Sequence, residues 1–282
     1  MTSDRNTDPG SDSGDASIDL PPLGIGTWDL PDRTCREVVV DALELGYRHV
    51  DTAQLYGNER AVGEGLARAD VPRESVVVAT KVDPEALAPD DVVESTRESL
   101  DRLGLDSVDL LYVHWPRAAY DPGPTLSAFE RLLDSGLVGG VGASNFTPDL
   151  LDEARAHVDI AAHQVEMHPL RPQECLREYA AAHGHALVAY SPLARGRALG
   201  LDPVRAVAER HGATPAQVCL AWLREKGVVP IPKSSGRHLA ENYRSLDLDL
   251  ADRDVARIDA VDRRERVVDP PSAPWNRNAD RD

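Results

Sequence analysis

The sequence predicts an α/β fold, a single (β/α)8 TIM barrel, and three observations carry that prediction. Eight short runs rich in β-branched residues alternate with amphipathic helical segments, with no linker between them. Several of these runs are apolar throughout (VVVAT, VDLLYV, ALVAY), as strands buried on both faces of a parallel sheet should be. The chain has 282 residues, near the roughly 250 typical of one such barrel.

Taken in order, the expected strands are Leu23–Gly26, Arg48–Asp51, Val76–Lys81, Val108–His114, Val138–Ser144, Ala161–Val165, Ala186–Tyr190 and Val228–Ile231. Helical periodicity fills the gaps at Thr34–Leu45, Asn58–Arg68, Asp90–Leu103, Leu126–Ser135, Pro148–His157, Glu174–His183 and Pro203–Arg210. A further helix, Pro215–Glu225, lengthens the gap before the last strand, and Leu239–Ser245 and Asp252–Val261 follow it. A doubly wound sheet is the competing architecture. Its glycine fingerprint is missing: Gly24-Ile25-Gly26-Thr27-Trp28-Asp29 fails at the third glycine. The opening residues, 1–16, are acidic, polar and rich in Gly and Ser, and are expected to be a disordered lead-in; residues 17–282 form the barrel with a C-terminal substrate loop.

Composition narrows the function. No apolar run approaches the roughly 20 residues of a membrane span, and the N-terminus has neither the basic start nor the apolar centre of a signal peptide. A cytoplasmic protein is expected, with no membrane partner. Cys35, Cys175 and Cys219 are too scattered for a disulfide framework or a metal site and read as small apolar packing residues. A net charge of -17 repels phosphates, which excludes nucleic acid as a partner. Abundant Asp, with lysine only at positions 81, 226 and 233, fits adaptation to high salt, where mutual repulsion is screened. An arginine-favouring genome is the plainer alternative.

Polar residues collect where a barrel builds its active site, at the C-terminal ends of the strands. Asp51, Lys81 and His114 end the second, third and fourth, and Ser144 with Asn145 ends the fifth. Gln164 lies in the sixth, Tyr190 ends the seventh, and Lys233 and Ser234 follow the eighth. Singly, each has an ordinary explanation as a cap, a turn residue or a snorkelling cation. Convergence at one end of one barrel is harder to assign to chance, and Lys81 stands out in a chain that otherwise avoids lysine.

Longer motifs then carry a resemblance. GYRHVDTAQLYGNERAVG (Gly46–Gly63), QVEMHP (Gln164–Pro169) and IPKSS (Ile231–Ser235) are similar to three signatures of the aldo-keto reductase superfamily, in particular its prokaryotic branch resembling 2,5-diketo-gluconate reductases. LYVHWP, GASNF and AYSPLARG fall between them in the family order, and the resemblance runs from about Leu20 to Trp275. It implies an NAD(P)H-dependent reduction of an aldehyde or ketone, reversible as alcohol oxidation, with the catalytic tetrad at Asp51, Tyr56, Lys81 and His114. Tyr56 would be the general acid, with its pKa lowered by the Lys81 ammonium; Asp51 would fix Lys81, and His114 would hydrogen-bond the substrate oxygen.

The same resemblance places the nicotinamide carboxamide on Ser144, Asn145 and Gln164, its ring on Tyr190, and the pyrophosphate along Ser191–Gly196, including Leu193. Lys233, Ser234 and Arg237 would hold the adenosine 2'-phosphate, with Glu241 and Asn242 at the adenine. In much of the family an arginine stands four residues before the asparagine that Asn242 matches; here that position is His238, with Arg237 one step earlier. NADP(H) is favoured, with NAD(H) as the alternative, and no metal is expected. Trp28, Trp115 and Trp275 would line an apolar substrate pocket. A monomer is the default, since the barrel buries its own core. Two other classes compete with this reading: a nucleotide-sensing regulatory subunit on the same barrel, and a lyase or isomerase using Lys81 as a Schiff base.

Overall fold

The alternation folds as eight parallel strands: β1 (Ile25–Gly26), β2 (His49–Asp51), β3 (Val77–Val82), β4 (Leu110–Val113), β5 (Val141–Ser144), β6 (Ala162–Glu166), β7 (Ala186–Tyr190) and β8 (Val228–Pro230). Each pairs with the next in chain order. The computed structural model describes residues 18–276, so the lead-in expected over residues 1–16 lies outside the described residues. Two backbone hydrogen bonds bring the last strand against the first: Gly24 N–H donates to the Pro230 carbonyl (3.0 Å) and Gly26 N–H to that of Pro232 (3.2 Å). Glycine is required at this seam. A Cβ on Gly26 would stand 2.9 Å from the Ile231 carbonyl oxygen, and one on Gly24 2.7 Å from the His49 ring.

Period-two alternation divides the strand residues between two cores. Val50, Val78, Val82, Leu111, Val113, Val141, Val165 and Leu187 belong to the layer shared with the helices. Ala79, Leu110, Tyr112 and Ala162 fill the barrel axis. Gly142 completes that plug, because a Cβ there would lie 2.3 Å from the Tyr112 ring. Two residues beyond His49, Ala79, Tyr112, Gly142, Ala162 and Val188, the inward face continues as Asp51, Lys81, His114, Ser144, Gln164 and Tyr190. Strand direction and alternation alone therefore gather the expected polar residues at one mouth.

Around the sheet run α1 (Asp32–Leu45), α2 (Glu59–Arg68), α3 (Pro89–Leu103), α4 (Pro122–Asp134), α5 (Pro148–Arg155), α6 (Glu174–His183), α7 (Asp202–His211) and α8 (Pro215–Glu225). After β8 come α9 (Arg237–Tyr243) and α10 (Asp252–Asp259). Local chemistry sets several of the starts. Thr147 and Thr214 cap α5 and α8 with their hydroxyls, and Thr214 forms a reciprocal capping box with Gln217.

Three expectations need correction. Helix α4 begins at Pro122, not Leu126: a proline in the first turn gives up only an N–H that has no partner there anyway, so Pro-Gly-Pro opens the helix instead of ending a loop. Strand β4 covers Leu110–Val113, not Val108–His114, and β5 covers Val141–Ser144, not Val138–Ser144, because Val108 and Val138 make only an isolated bridge to each other. Cys35 and Cys219 are buried as expected, but Cys175 is exposed on α6.

Candidate active site

At the C-terminal mouth of the barrel a cleft of about 500 Å³ opens between the loops. Its floor is built on a buried ion pair. Lys81 Nζ donates to Asp51 Oδ1 at 2.5 Å, to the Thr52 carbonyl at 2.9 Å and to the Tyr56 hydroxyl at 3.4 Å. Gln164 Nε2 donates to the other Asp51 oxygen at 2.7 Å, so the carboxylate is held from two sides. Tyr56 is presented by a single 3-10 turn, Gln54–Tyr56, that ends on Gly57 in the left-handed conformation. Its ring meets that of His114 edge-on at 5.8 Å.

The electrostatics follow from that geometry. Burial pulls the Lys81 pKa down, but the charge of Asp51, the neighbouring Tyr56 and the hydrogen bonds to both outweigh it, and the ammonium is favoured. For Tyr56 the expected lowering is overturned. Burial raises its pKa, and the opposing pull of Lys81 only partly offsets this, so the phenol keeps its proton at neutral pH. Burial and the charges of Lys81 and Arg117 hold His114 well below the ordinary histidine range, which leaves a neutral imidazole.

A second network lines the next wall. Asn145, held in the left-handed region (φ 64°), donates through Nδ2 to the His114 carbonyl and to Ser144 Oγ, both at 3.0 Å. The Tyr190 hydroxyl donates to Asn145 Oδ1 at 2.7 Å. Beyond β7, Ser191, Ala194, Arg195 and Gly196 all have positive φ, and this tightly wound segment forms a rim of the cleft. Trp28 faces it from the β1 loop, with Arg195 and Lys233 each 5.2 Å from its ring centre.

A profile of the aldo/keto reductase family matches residues 22–263. The chain belongs to the aldo/keto reductase family. It is 41% identical over 261 residues to methylglyoxal reductase DkgB of Salmonella typhimurium, covering 89% of this chain and 96% of that one. Among solved structures it resembles a putative 2,5-diketo-D-gluconic acid reductase B (TM-score 0.86, 34% identity, 90% and 92% of the two chains). It also resembles the Bombyx mori aldo-keto reductase solved in complex with NADP (TM-score 0.83, 30% identity, 89% and 92%).

In this family member the expected residues divide into three groups. Asp51, Tyr56, His114, Ser144, Asn145, Gln164, Tyr190, Ser191, Leu193, Lys233, Trp28 and Trp115 line the cleft, and Lys81 lies directly beneath Tyr56 and Asp51. Ser234, Arg237, Glu241 and Asn242 lie outside it, beyond β8. There the Ser234 hydroxyl is buried with no partner among the described residues, and Arg237 is exposed at the start of α9 without an ion pair among them. His238 Nδ1 faces Glu241 at 3.4 Å. Trp275 is placed differently from the expectation. It does not reach the cleft but packs behind Trp115 at 5.7 Å between ring centres. The wall it was expected to supply comes from Val268, and Leu55, Ile231 and Pro232 complete the apolar lining. Leu55, Ile231 and Pro232 lie within the motifs that carry the resemblance, next to Tyr56 and Lys233, whereas Val268 left no trace in the sequence.

Proposed function

We propose that the protein transfers a hydride between NADP(H) and an aldehyde or ketone, with Tyr56 as proton donor in reduction and proton acceptor in alcohol oxidation. One observation carries the reading: the Tyr56 hydroxyl lies in the cleft 3.4 Å from Lys81 Nζ, which Asp51 fixes at 2.5 Å. A reduced nicotinamide, when bound, supplies the hydride to the carbonyl carbon. The protein's own residues then deal with the oxygen. A substrate oxygen between Tyr56 and His114 meets two neutral donors, a phenol and an imidazole, before any charge develops. As alkoxide character grows, the Tyr56 proton passes to it, and the nearby Lys81 charge stabilises the phenolate left behind. Asp51 and Gln164 hold Lys81 in place.

The cofactor reading is supported by the polar wall of Ser144, Asn145 and Tyr190, by the wound segment Ser191–Gly196, and by the unpartnered Ser234 hydroxyl beside Arg237. Backbone N–H groups and the cations Lys233 and Arg237 suit a pyrophosphate and a 2'-phosphate. The relative named for methylglyoxal supports a small α-ketoaldehyde as substrate, and the cleft is open enough for one.

Absorbance at 340 nm with NADPH and then NADH, against methylglyoxal, a nitrobenzaldehyde and a keto sugar, tests the reading. Wild type consumes NADPH; Tyr56→Phe loses at least about 100-fold in kcat while still binding the cofactor, the scale of a lost general acid. Undiminished turnover in Tyr56→Phe refutes the assignment. Arg237→Gln raises the KM for NADPH but not for NADH if Arg237 reads the 2'-phosphate. We further propose a cytoplasmic monomer suited to high salt, on the support of the -17 charge and of a self-contained barrel. Sedimentation and activity from low salt to molar KCl test both; a stable dimer, or activity indifferent to salt, overturns the respective part.

A further inference from the structure

The QVEMHP stretch holds a carboxylate that the reaction does not use. Glu166 ends β6, its side chain is fully buried, and it does not line the cleft. A buried carboxylate is expensive unless donors surround it. Three do. Oε1 accepts from the Val267 backbone N–H at 2.6 Å and bonds His168 Nε2 at 2.9 Å, and Oε2 accepts from the Val268 N–H at 2.8 Å. Next to this anchor, the Glu265 N–H donates to the Leu170 carbonyl at 2.9 Å. The segment after α10 has no helix or strand of its own until Pro274, so its path is fixed by these bonds together with the Arg197–Glu265 ion pair and the Arg117–Ser272 hydrogen bond.

That path leads back to the substrate end of the cleft. Val268, bonded to Glu166, forms part of the cleft wall. Its neighbour Arg266 lies 3.6 Å over the ring of Trp275, which backs Trp115, the residue after His114. We infer that Glu166 is a positioning residue for substrate selection: its buried carboxylate clamps the C-terminal segment and thereby sets the position of Val268 and the backing of Trp115. Charge-assisted bonds from backbone N–H groups suit the task, being stronger than neutral ones and indifferent to the side chains of the segment they hold. The link to selectivity rests on the reductase reading above; the clamp itself does not.

The test pairs Glu166→Gln with Val267→Pro, which removes one donor from the opposite side and leaves the identities of Glu166 and of every cleft-lining residue unchanged. Each variant is expected to raise the KM for carbonyl substrates about tenfold, equivalent to losing roughly 1.4 kcal/mol of segment docking. The kcat and the NADPH dissociation constant, measured by fluorescence quenching, should move less than about twofold on that same scale. Tryptic cleavage after Arg263 and Arg264 should quicken in both variants with the thermal melt of the barrel unchanged. Cleavage at the wild-type rate in Val267→Pro overturns the clamp, even if the protein turns out to have no reductase activity. Faster cleavage with an unchanged KM overturns the link to the substrate. A loss of kcat, cofactor binding and melting temperature together in both variants reduces Glu166 to a folding role.

Discussion

The ion pair under the cleft sets up a sharp test of how the site is held together. Asp51 and Lys81 are each almost fully buried, and their charged atoms are 2.5 Å apart. At an effective dielectric of about 20 their attraction is on the order of 7 kcal/mol, against a desolvation penalty of several kcal/mol per ion. The pair as a unit therefore contributes little net stability, while either ion alone is a serious liability. Lys81→Met leaves a buried carboxylate with Gln164 as its side-chain donor, and Asp51→Asn leaves a buried ammonium facing only the Thr52 carbonyl and the Tyr56 hydroxyl. Each single variant is expected to lose about 3–5 kcal/mol. The double variant keeps an acceptor for Gln164 and should return to within about 2 kcal/mol of wild type, although it is inactive. Urea denaturation of all four proteins, with constant m-values, gives the coupling energy. The sign with pH is also fixed. Without Asp51, burial holds the folded pKa of Lys81 below its unfolded value of about 10.4, so the penalty is full at neutral pH and lifts as the lysine deprotonates. The loss in Asp51→Asn must shrink by pH 10. Single losses below about 1 kcal/mol, or losses that simply add in the double variant, would refute this account.

Other consequences are simpler to check. Burial lowers the pKa of His49 to about 4, of His163 to about 3 and of His185 to about 4, so all three are neutral when folded. Their contribution is present above the unfolded value of about 6.5 and is lost as pH falls from there toward 4; the urea midpoint should drop across that window, and His163→Leu should flatten the drop. Gly63 sits where α2 crosses the end of α3, and a Cβ there would lie 2.2 Å from the Leu103 carbonyl oxygen. Backbone cannot step aside as a side chain can, so Gly63→Ala should cost about 2–3 kcal/mol in thermal or urea unfolding. Gly200→Ala, with nothing within 4 Å of its Cβ position, is the neutral control. Asp254 is buried and receives both Arg210 and His211, the latter at 2.9 Å; Asp254→Ala should lower the melting temperature and expose the end of α7 to exchange, and an unchanged melt would show the pairing to be idle.

What could be read from the sequence depended on which partner a residue uses. Asp51, Lys81 and His114 were legible because strand direction and a period of two place them together without knowledge of any loop. Tyr56 depended on a motif, and the direction of its pKa shift was not legible because the sequence shows the neighbouring lysine but not the depth of burial that outweighs it. Glu166 remained opaque for a different reason. Its distant partners are backbone N–H groups 101 and 102 residues away, and a backbone donor leaves no mark on residue identity. Trp275 was assigned to the cleft by type, but the turn Pro274–Asn276 sets it one layer back, where Trp115 already occupies the wall. The onset of α4 was hidden because Pro-Gly-Pro reads as loop punctuation until its place in the first turn is known.

The glycine seam bears on how the chain is made. Residues Gly24 and Gly26 wait for Pro230 and Pro232, over two hundred positions later. Until translation has passed that point, the emerging sheet has two open edges: the short β1 edge at one end and whichever strand was last added at the other. A growing chain on the ribosome thus carries sticky borders for most of its synthesis, and its closure joins residues 206 positions apart, a non-local contact of the kind that forms slowly. Release of a chain that stops short of β8 should give aggregates instead of a smaller soluble barrel.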